Sequence, residues 1–138
     1  MPRPRLDNLV EAGLLKKEPP LPVEIETLIT GAERRLADAD ASALSREGRF
    51  DLLYNAAHAL SLAALRRRGY RPRQHRYIVF QALADTLNLP PEKWRVLDQA
   101  HTARNQFEYR GEEPPSDEVL ASIRRIALEM LAALRDEA

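Results

Sequence analysis

The sequence predicts an all-α protein, an up-and-down helical bundle carrying a short N-terminal helical arm. Three observations lead there. Leu and Ala dominate the apolar residues, while Val and Ile are sparse. No segment sustains an apolar–polar alternation of period two. Apolar residues recur at helical spacing between short breaks, and short breaks between helices favour antiparallel neighbours. The 138 residues, 44% of them hydrophobic, suffice for one domain with a core.

The first helix is expected from Leu6 to Lys16, ended by the block Pro19-Pro20-Leu21-Pro22. That block divides the chain into an arm, residues 1–21, and a bundle, residues 22–138. A second helix is expected from about Val23 to Ala39, with Ile25, Leu28, Ile29, Ala32 and Leu36 on one face. The third starts at Ser45, a good N-cap with Glu47 in the first turn, and runs to Arg68. Gly69, then Tyr70 and Pro72, stop it. Between Phe50 and Leu65 this helix is apolar almost all round, as befits a central element or one shared with a second subunit.

A fourth helix is expected from Gln74 to Leu87. Asn88-Leu89-Pro90-Pro91 breaks it and opens the fifth, with Pro91 at a first helical position, running to Arg110-Gly111. Ser116, followed by Asp117 and Glu118, caps the last helix, which reaches Asp136. Its expected face is Val119, Ile123, Ile126, Met130 and Leu134.

Composition narrows function. Basic and acidic residues balance at 21 each, which argues against a general nucleic-acid coat but allows a local basic patch. The absence of cysteine removes disulfides, thiol catalysis and Cys-ligated zinc, and suits the cytoplasm. Met1-Pro2-Arg3-Pro4-Arg5 leads into Leu6-Asp7-Asn8 and does not read as a signal peptide. No apolar run approaches the ~20 residues of a membrane span. The three histidines, His58, His75 and His101, fall on three different helices, so no metal is expected. The five glycines form no Walker or dinucleotide pattern, no serine sits in a nucleophile elbow, and no cofactor is expected.

Three constellations carry chemistry. The first lies on the fifth helix. At 100° per residue, Val96, Ala100, Ala103 and Phe107 share a face with Leu97 at its edge, and Arg104 projects between Ala100 and Leu97. A cation aimed into an apolar sector must be paired, or must face a cleft or a partner. His101, Arg104, Asn105 and Glu108 line one side of the helix, with Tyr109 one turn beyond Asn105. An Arg–Asn pair beside a cleft can hold a phosphate. The competing reading is a structural ion pair of Arg104 with Glu108 or Asp51.

The second is a polar stripe, Asp51, Asn55 and His58 with Ser61 next, on the otherwise apolar third helix. Polar groups there need partners, and the Arg104 cluster is the expected one; a core network that fixes helix register is the alternative. The third is basic: Arg66, Arg67, Arg68, Arg71, Arg73 and Arg76 with His75, interleaved with Tyr70 and Tyr77. Arg66 to Arg68 suit a helix C-terminus. Arg71, Arg73 and Arg76 have no such role and suit a phosphate backbone.

Taken in order, these residues resemble a family. Phe50-Asp51-Leu52-Leu53-Tyr54-Asn55-Ala56-Ala57-His58-Ala59, then Gly69-Tyr70-Arg71-Pro72 and His75, is similar to the central helix, turn and next helix of HEPN domains. Ala103-Arg104-Asn105-Gln106-Phe107-Glu108-Tyr109 is similar to their motif helix. The likeness covers roughly Val23 to the C-terminus. HEPN domains are small helical bundles, commonly dimers, of prokaryotic toxin–antitoxin and defence systems. Many are metal-independent ribonucleases that use an arginine, a following polar residue and a later histidine across a dimer cleft. The resemblance makes Arg104 the arginine and Asn105 the polar residue, and implies a homodimer.

The chain departs from the family at the histidine. Tyr109 stands at that position, and no histidine follows it. A phenol with a reference pKa of about 10 is a poor general base at neutral pH. The resemblance therefore implies a binding or regulatory module that engages RNA, a nucleotide or a nucleotidyltransferase partner, with Tyr109 a candidate for adenylylation. Two alternatives stay open. One is a ribonuclease in which His101 replaces the missing histidine and Arg104 steadies the phosphorane. The other is a structural interaction protein in which Arg104 makes only an ion pair.

Overall fold

A computed structural model describes residues 4–74 and 77–137, with the backbone alone for residues 4, 108 and 109. In chain order the elements are α1 (Pro4–Glu11), β1 (Leu15–Lys17), α2 (Pro22–Asp38), α3 (Arg46–Arg67), β2 (Tyr70–Pro72), α4 (Ile78–Gln81), α5 (Leu83–Thr86), α6 (Pro91–Arg110) and α7 (Asp117–Asp136). The architecture is the expected all-α bundle, with one small antiparallel sheet added. Among the described residues no helix is long and apolar enough to cross a membrane.

The long helices begin and end where local chemistry directs. Pro22 opens α2 and Pro91 opens α6, where a missing N–H costs nothing. The Ser45 hydroxyl accepts the Gly48 amide at 3.0 Å, and that of Ser116 accepts the Val119 amide at 3.3 Å. Gly69 at φ +91° and Gly111 at φ +68° take the left-handed conformation that releases the chain from α3 and α6.

α3 is the central element. Phe50, Leu53, Tyr54, Ala56, Ala57, His58 and Leu60 through Leu65, apart from the half-buried Leu62, are buried against its neighbours. α2 lays Ile25, Ile29, Ala32 and Leu36 on it, and α7 lays Leu120, Ile123, Ile126, Ala127, Met130 and Leu134. Small alanines on α3 let those helices approach closely, and each large apolar side chain removed from water stabilises by about 1.5–3 kcal/mol.

The arm departs from expectation. α1 stops at Glu11, not Lys16, because Gly13 at φ +80° turns the chain and the amides of Ala12, Gly13 and Leu14 bond back to α1 carbonyls. Leu15–Lys17 then pairs with Tyr70–Pro72, Leu15 opposite Pro72 and Lys17 opposite Tyr70. Strands of three residues are too short to show alternation. The arm packs on the bundle of its own chain: Leu6 and Leu15 are fully buried, and the Tyr70 hydroxyl donates to Asp7 at 2.6 Å.

Three smaller expectations change. The fourth helix is two short turns, α4 and α5, joined at Ala82, and its buried residues Ile78, Val79, Phe80, Ala82 and Leu83 mark no single helical face. Val119 is exposed, and Leu120 takes its place in the α7 face. On α6, Leu97 and Ala100 are buried, whereas Val96, Ala103 and Phe107 are half-buried. The inward direction is thus turned towards Leu97, which places Arg104 nearer its centre.

Candidate functional site

α6 crosses α3 so that Arg104 comes down on Tyr54 and Asp51. The Arg104 guanidinium carbon lies 4.8 Å from the Tyr54 ring centroid, and Nη1 lies 3.9 Å from Asp51 Oδ1. The Arg104 side chain is 27% exposed and that of Asp51 is 55% exposed. An ion pair this long and wet contributes ~0–1 kcal/mol, whereas a guanidinium over a tyrosine face contributes about 0.5–2 kcal/mol. The ring is the better seat, and it leaves about a quarter of the side chain exposed to solvent. Asp51, one of the ionic neighbours expected for Arg104, lies beside it, and the Tyr54 ring face accommodates it in the apolar sector.

His101 sits one turn back on α6. Its Nδ1 is 3.1 Å from the Tyr54 hydroxyl, its Nε2 is 3.4 Å from Asn105 Nδ2, and its ring stacks on Tyr77 at 5.0 Å. An amide NH₂ only donates, so the network assigns Nε2 as acceptor and Nδ1–H as donor to Tyr54. Burial pushes the His101 imidazole below its ordinary pKa; Asp98 opposes that shift and Arg104 adds to it. His101 is thus a neutral base near a cation. Asn105 is exposed and, with Thr102, Gln106 and Arg110, lines a surface hollow of about 450 Å³. The side chains of Glu108 and Tyr109 lie outside the described residues, as do His75 and Arg76.

The polar stripe on α3 divides. Asp51 faces Arg104. Asn55 Nδ2 donates to the Asp51 carbonyl at 2.9 Å. His58 is buried, stacks with Tyr54 and meets the edge of Phe80. Ser61 bonds the Ala57 carbonyl and approaches Met130 Sδ on α7. Among the described residues, Asp51 is the member of the stripe seen paired with Arg104. Asn55 and His58 instead line a separate groove between α2 and α3.

The basic constellation is mostly spent within the chain. Arg66 is fully buried, donating to Glu24 at 2.7 Å and to the carbonyls of Glu18, Pro19 and Tyr70. Arg71 donates to Glu18 at 2.6 Å and to both Glu24 oxygens. These arginines hold Glu18 and Glu24 below the ordinary carboxylate range. Arg67 and Arg68 bond the Leu134 and Thr86 carbonyls and Glu137. Arg71 is therefore turned to carboxylates rather than presented to a phosphate backbone. Arg73 is exposed.

Sequence reasoning did not single out Tyr54 as the seat of Arg104, although it stands three residues after Asp51 and four before His58. Among the described residues no group of three or more His, Asp or Glu could hold a metal ion. No family model, no curated protein and no solved structure matches this chain.

Proposed function

We propose that the chain is a HEPN-like binding or regulatory module that engages RNA through Arg104 and Asn105. On the same resemblance it works as a homodimer in a prokaryotic toxin–antitoxin or defence-type system, with a nucleotidyltransferase as partner protein. One observation carries the reading. Arg104 is seated on Tyr54 with 27% of its side chain exposed, beside a neutral His101 and the exposed Asn105 amide at the edge of a hollow. A guanidinium already ordered by a ring loses little entropy on meeting a phosphate, and an adjacent amide adds a donor. Fluorescence anisotropy with a labelled single-stranded RNA tests it. Binding should weaken about tenfold or more in Arg104→Ala, the scale of one lost charge-assisted contact. An unchanged isotherm contradicts it.

The neutral His101 favours a second reading, a metal-independent ribonuclease with an altered catalytic set. His101 Nε2 is the accepting atom that would take the proton of a ribose hydroxyl, after release from Asn105, while Arg104 steadies the phosphorane charge. This reading requires RNA cleavage in the presence of chelator that is lost in both His101→Ala and Arg104→Ala. Absence of cleavage by the parent protein removes it and leaves the binding reading intact.

A further inference from the structure

The block Pro19-Pro20-Leu21-Pro22 does more than divide the arm from the bundle. A residue that precedes proline avoids the helical region. Glu18, Pro19 and Leu21 each precede a proline, so steric exclusion keeps the block extended. Residues 18–21 accordingly form neither helix nor turn, and Leu21 lies at φ −118° and ψ 105° before Pro22 opens α2.

This strap has an inner and an outer side. On the inner side, Glu18 turns its carboxylate to Arg66 and Arg71. The buried Arg66 also donates to the carbonyls of Glu18 at 2.9 Å and Pro19 at 2.7 Å, and the Glu18 amide donates to the Gly69 carbonyl at 3.0 Å. The Leu21 carbonyl accepts the Ile25 amide as the first bond of α2. Among the described residues the Pro20 carbonyl accepts no hydrogen bond. The outer side is exposed from Lys16 to Val23, apart from Glu18. Leu21 is 53% exposed and Val23 is 81% exposed, the two highest values among the large hydrophobic residues described.

Leu21 supplies an independent observation. It occupies the N-cap of α2 and makes no side-chain cap bond, whereas Ser45 and Ser116 cap α3 and α7. Serine, threonine, aspartate or asparagine there would stabilise the helix. A boundary needs the prolines, but it does not need an exposed leucine in place of a cap.

We propose that the strap is a recognition segment for a partner protein whose groove is lined by aromatic side chains and rimmed by carboxylates. Such grooves read extended proline-rich chains, because proline rings pack flat on aromatic faces and the chain is ordered before it binds. Pro19 and Pro22 stand three residues apart, one polyproline turn, and Lys16 stands three residues before Pro19. Leu21 adds apolar contact, and the Pro20 carbonyl accepts from a tryptophan or tyrosine of the groove. Lys16 and Lys17 face the acidic rim. Their own pairs, with Glu18 at 3.8 Å and Asp7 at 3.4 Å, are loose and wet, so they yield readily to an outside carboxylate. A second copy of this chain is not the partner, since among the described residues no aromatic side chain is exposed.

A ¹⁵N-labelled SH3 domain selective for Lys-x-x-Pro-x-x-Pro ligands is the probe, titrated with the unlabelled full chain and followed by its amide chemical shifts. The aromatic-groove resonances should shift. The full chain should bind about tenfold more tightly than a peptide of residues 14–24, because Arg66 has already ordered the strap. Pro19→Ala and Leu21→Ser, both at exposed positions, should each raise the Kd about fivefold. Leu21→Ser should at the same time raise the melting temperature by supplying the cap, a split that a purely structural role would not produce. Lys16→Glu should weaken binding most at low salt. Val119→Ser, exposed on α7, should bind as the parent does. The proposal is overturned if no groove resonance shifts, or if the strap variants bind as the parent does. It is equally overturned if the peptide binds more tightly than the full chain, because the bundle then hides the strap. RNA binding at Arg104 uses none of these residues and stands or falls separately.

Discussion

Replacing Arg66 with methionine tests what holds the arm to the bundle. Arg66 is fully buried and joins α3 to three other pieces: Glu24 at the start of α2, the Glu18 and Pro19 carbonyls of the arm, and the Tyr70 carbonyl of β2. Methionine keeps most of the apolar volume and deletes the donors. Removing one partner of a buried charge pair costs about 3–5 kcal/mol. Here the carboxylates of Glu18 and Glu24 are 31% and 29% exposed, and Arg71 still holds both, so the low end applies, about 3 kcal/mol. Against a total stability of about 5–15 kcal/mol that is a large fraction, and for a domain of this size it lowers Tm by about 10 °C. Thermal unfolding followed by circular dichroism at pH 7 reads it directly. Glu24→Gln should be destabilising as well, and the double variant should lose less than the two single losses added, since the groups act on each other. A fall of under about 3 °C in Arg66→Met would refute the reasoning, because it would mean that the buried guanidinium offsets only its own desolvation.

Other outcomes follow from particular groups. Glu24 has a folded pKa below its ordinary 4.5, chiefly because Arg66 and then Arg71 donate to it. Its stabilisation is therefore complete above pH 4.5 and is lost as pH falls through the lower folded value, and the acid limb of the unfolding curve should flatten in Glu24→Gln. His101 is also depressed, from 6.5, by burial before anything else. The folded state binds its proton less readily than the unfolded state, so this contribution is full above pH 6.5 and declines below it. His101→Gln should remove that part of the pH dependence, and an unchanged Tm-versus-pH profile would count against a desolvated imidazole. Gly69→Ala forces an L residue to φ +91° at the end of α3 and should cost about 1–2 kcal/mol in chemical denaturation; a stabilised variant would mean that the turn relaxes.

Much of the bundle was legible because its long helices carry local punctuation. Ser45 and Gly69 bound α3, Pro91 and Gly111 bound α6, and Ser116 starts α7. What was not legible depends on contacts distant in sequence. The β1–β2 pairing joins residues about 55 positions apart in strands too short to carry a period. The break at Ala82 falls in a short segment whose buried residues, Ile78 to Phe80 with Ala82 and Leu83, mark no single helical face. The misplaced charge at Arg104 was visible as a violation of the α6 pattern, and Asp51 was among its expected neighbours. Tyr54 was not, because an aromatic seat for a cation leaves no charge pattern to read. Arg71 misled for the opposite reason: spacing showed a run of cations, while the carboxylates that absorb them, Glu18 and Glu24, stand some fifty residues earlier.

The measurement that bears most directly on Arg104 is the salt dependence of RNA binding. Anisotropy titrations of a single-stranded oligonucleotide across a range of potassium chloride concentrations give the slope of log affinity against log salt. Each phosphate neutralised on a single strand adds about 0.7 to the magnitude of that slope. If Arg104 meets a phosphate, Arg104→Ala binds more weakly and with a slope shallower by about 0.7, while its thermal stability falls by no more than the loss of a cation over a ring implies, about 0.5–2 kcal/mol. An identical slope and affinity in the variant, with the change confined to thermal stability, would show that Arg104 serves only to pack α6 against α3.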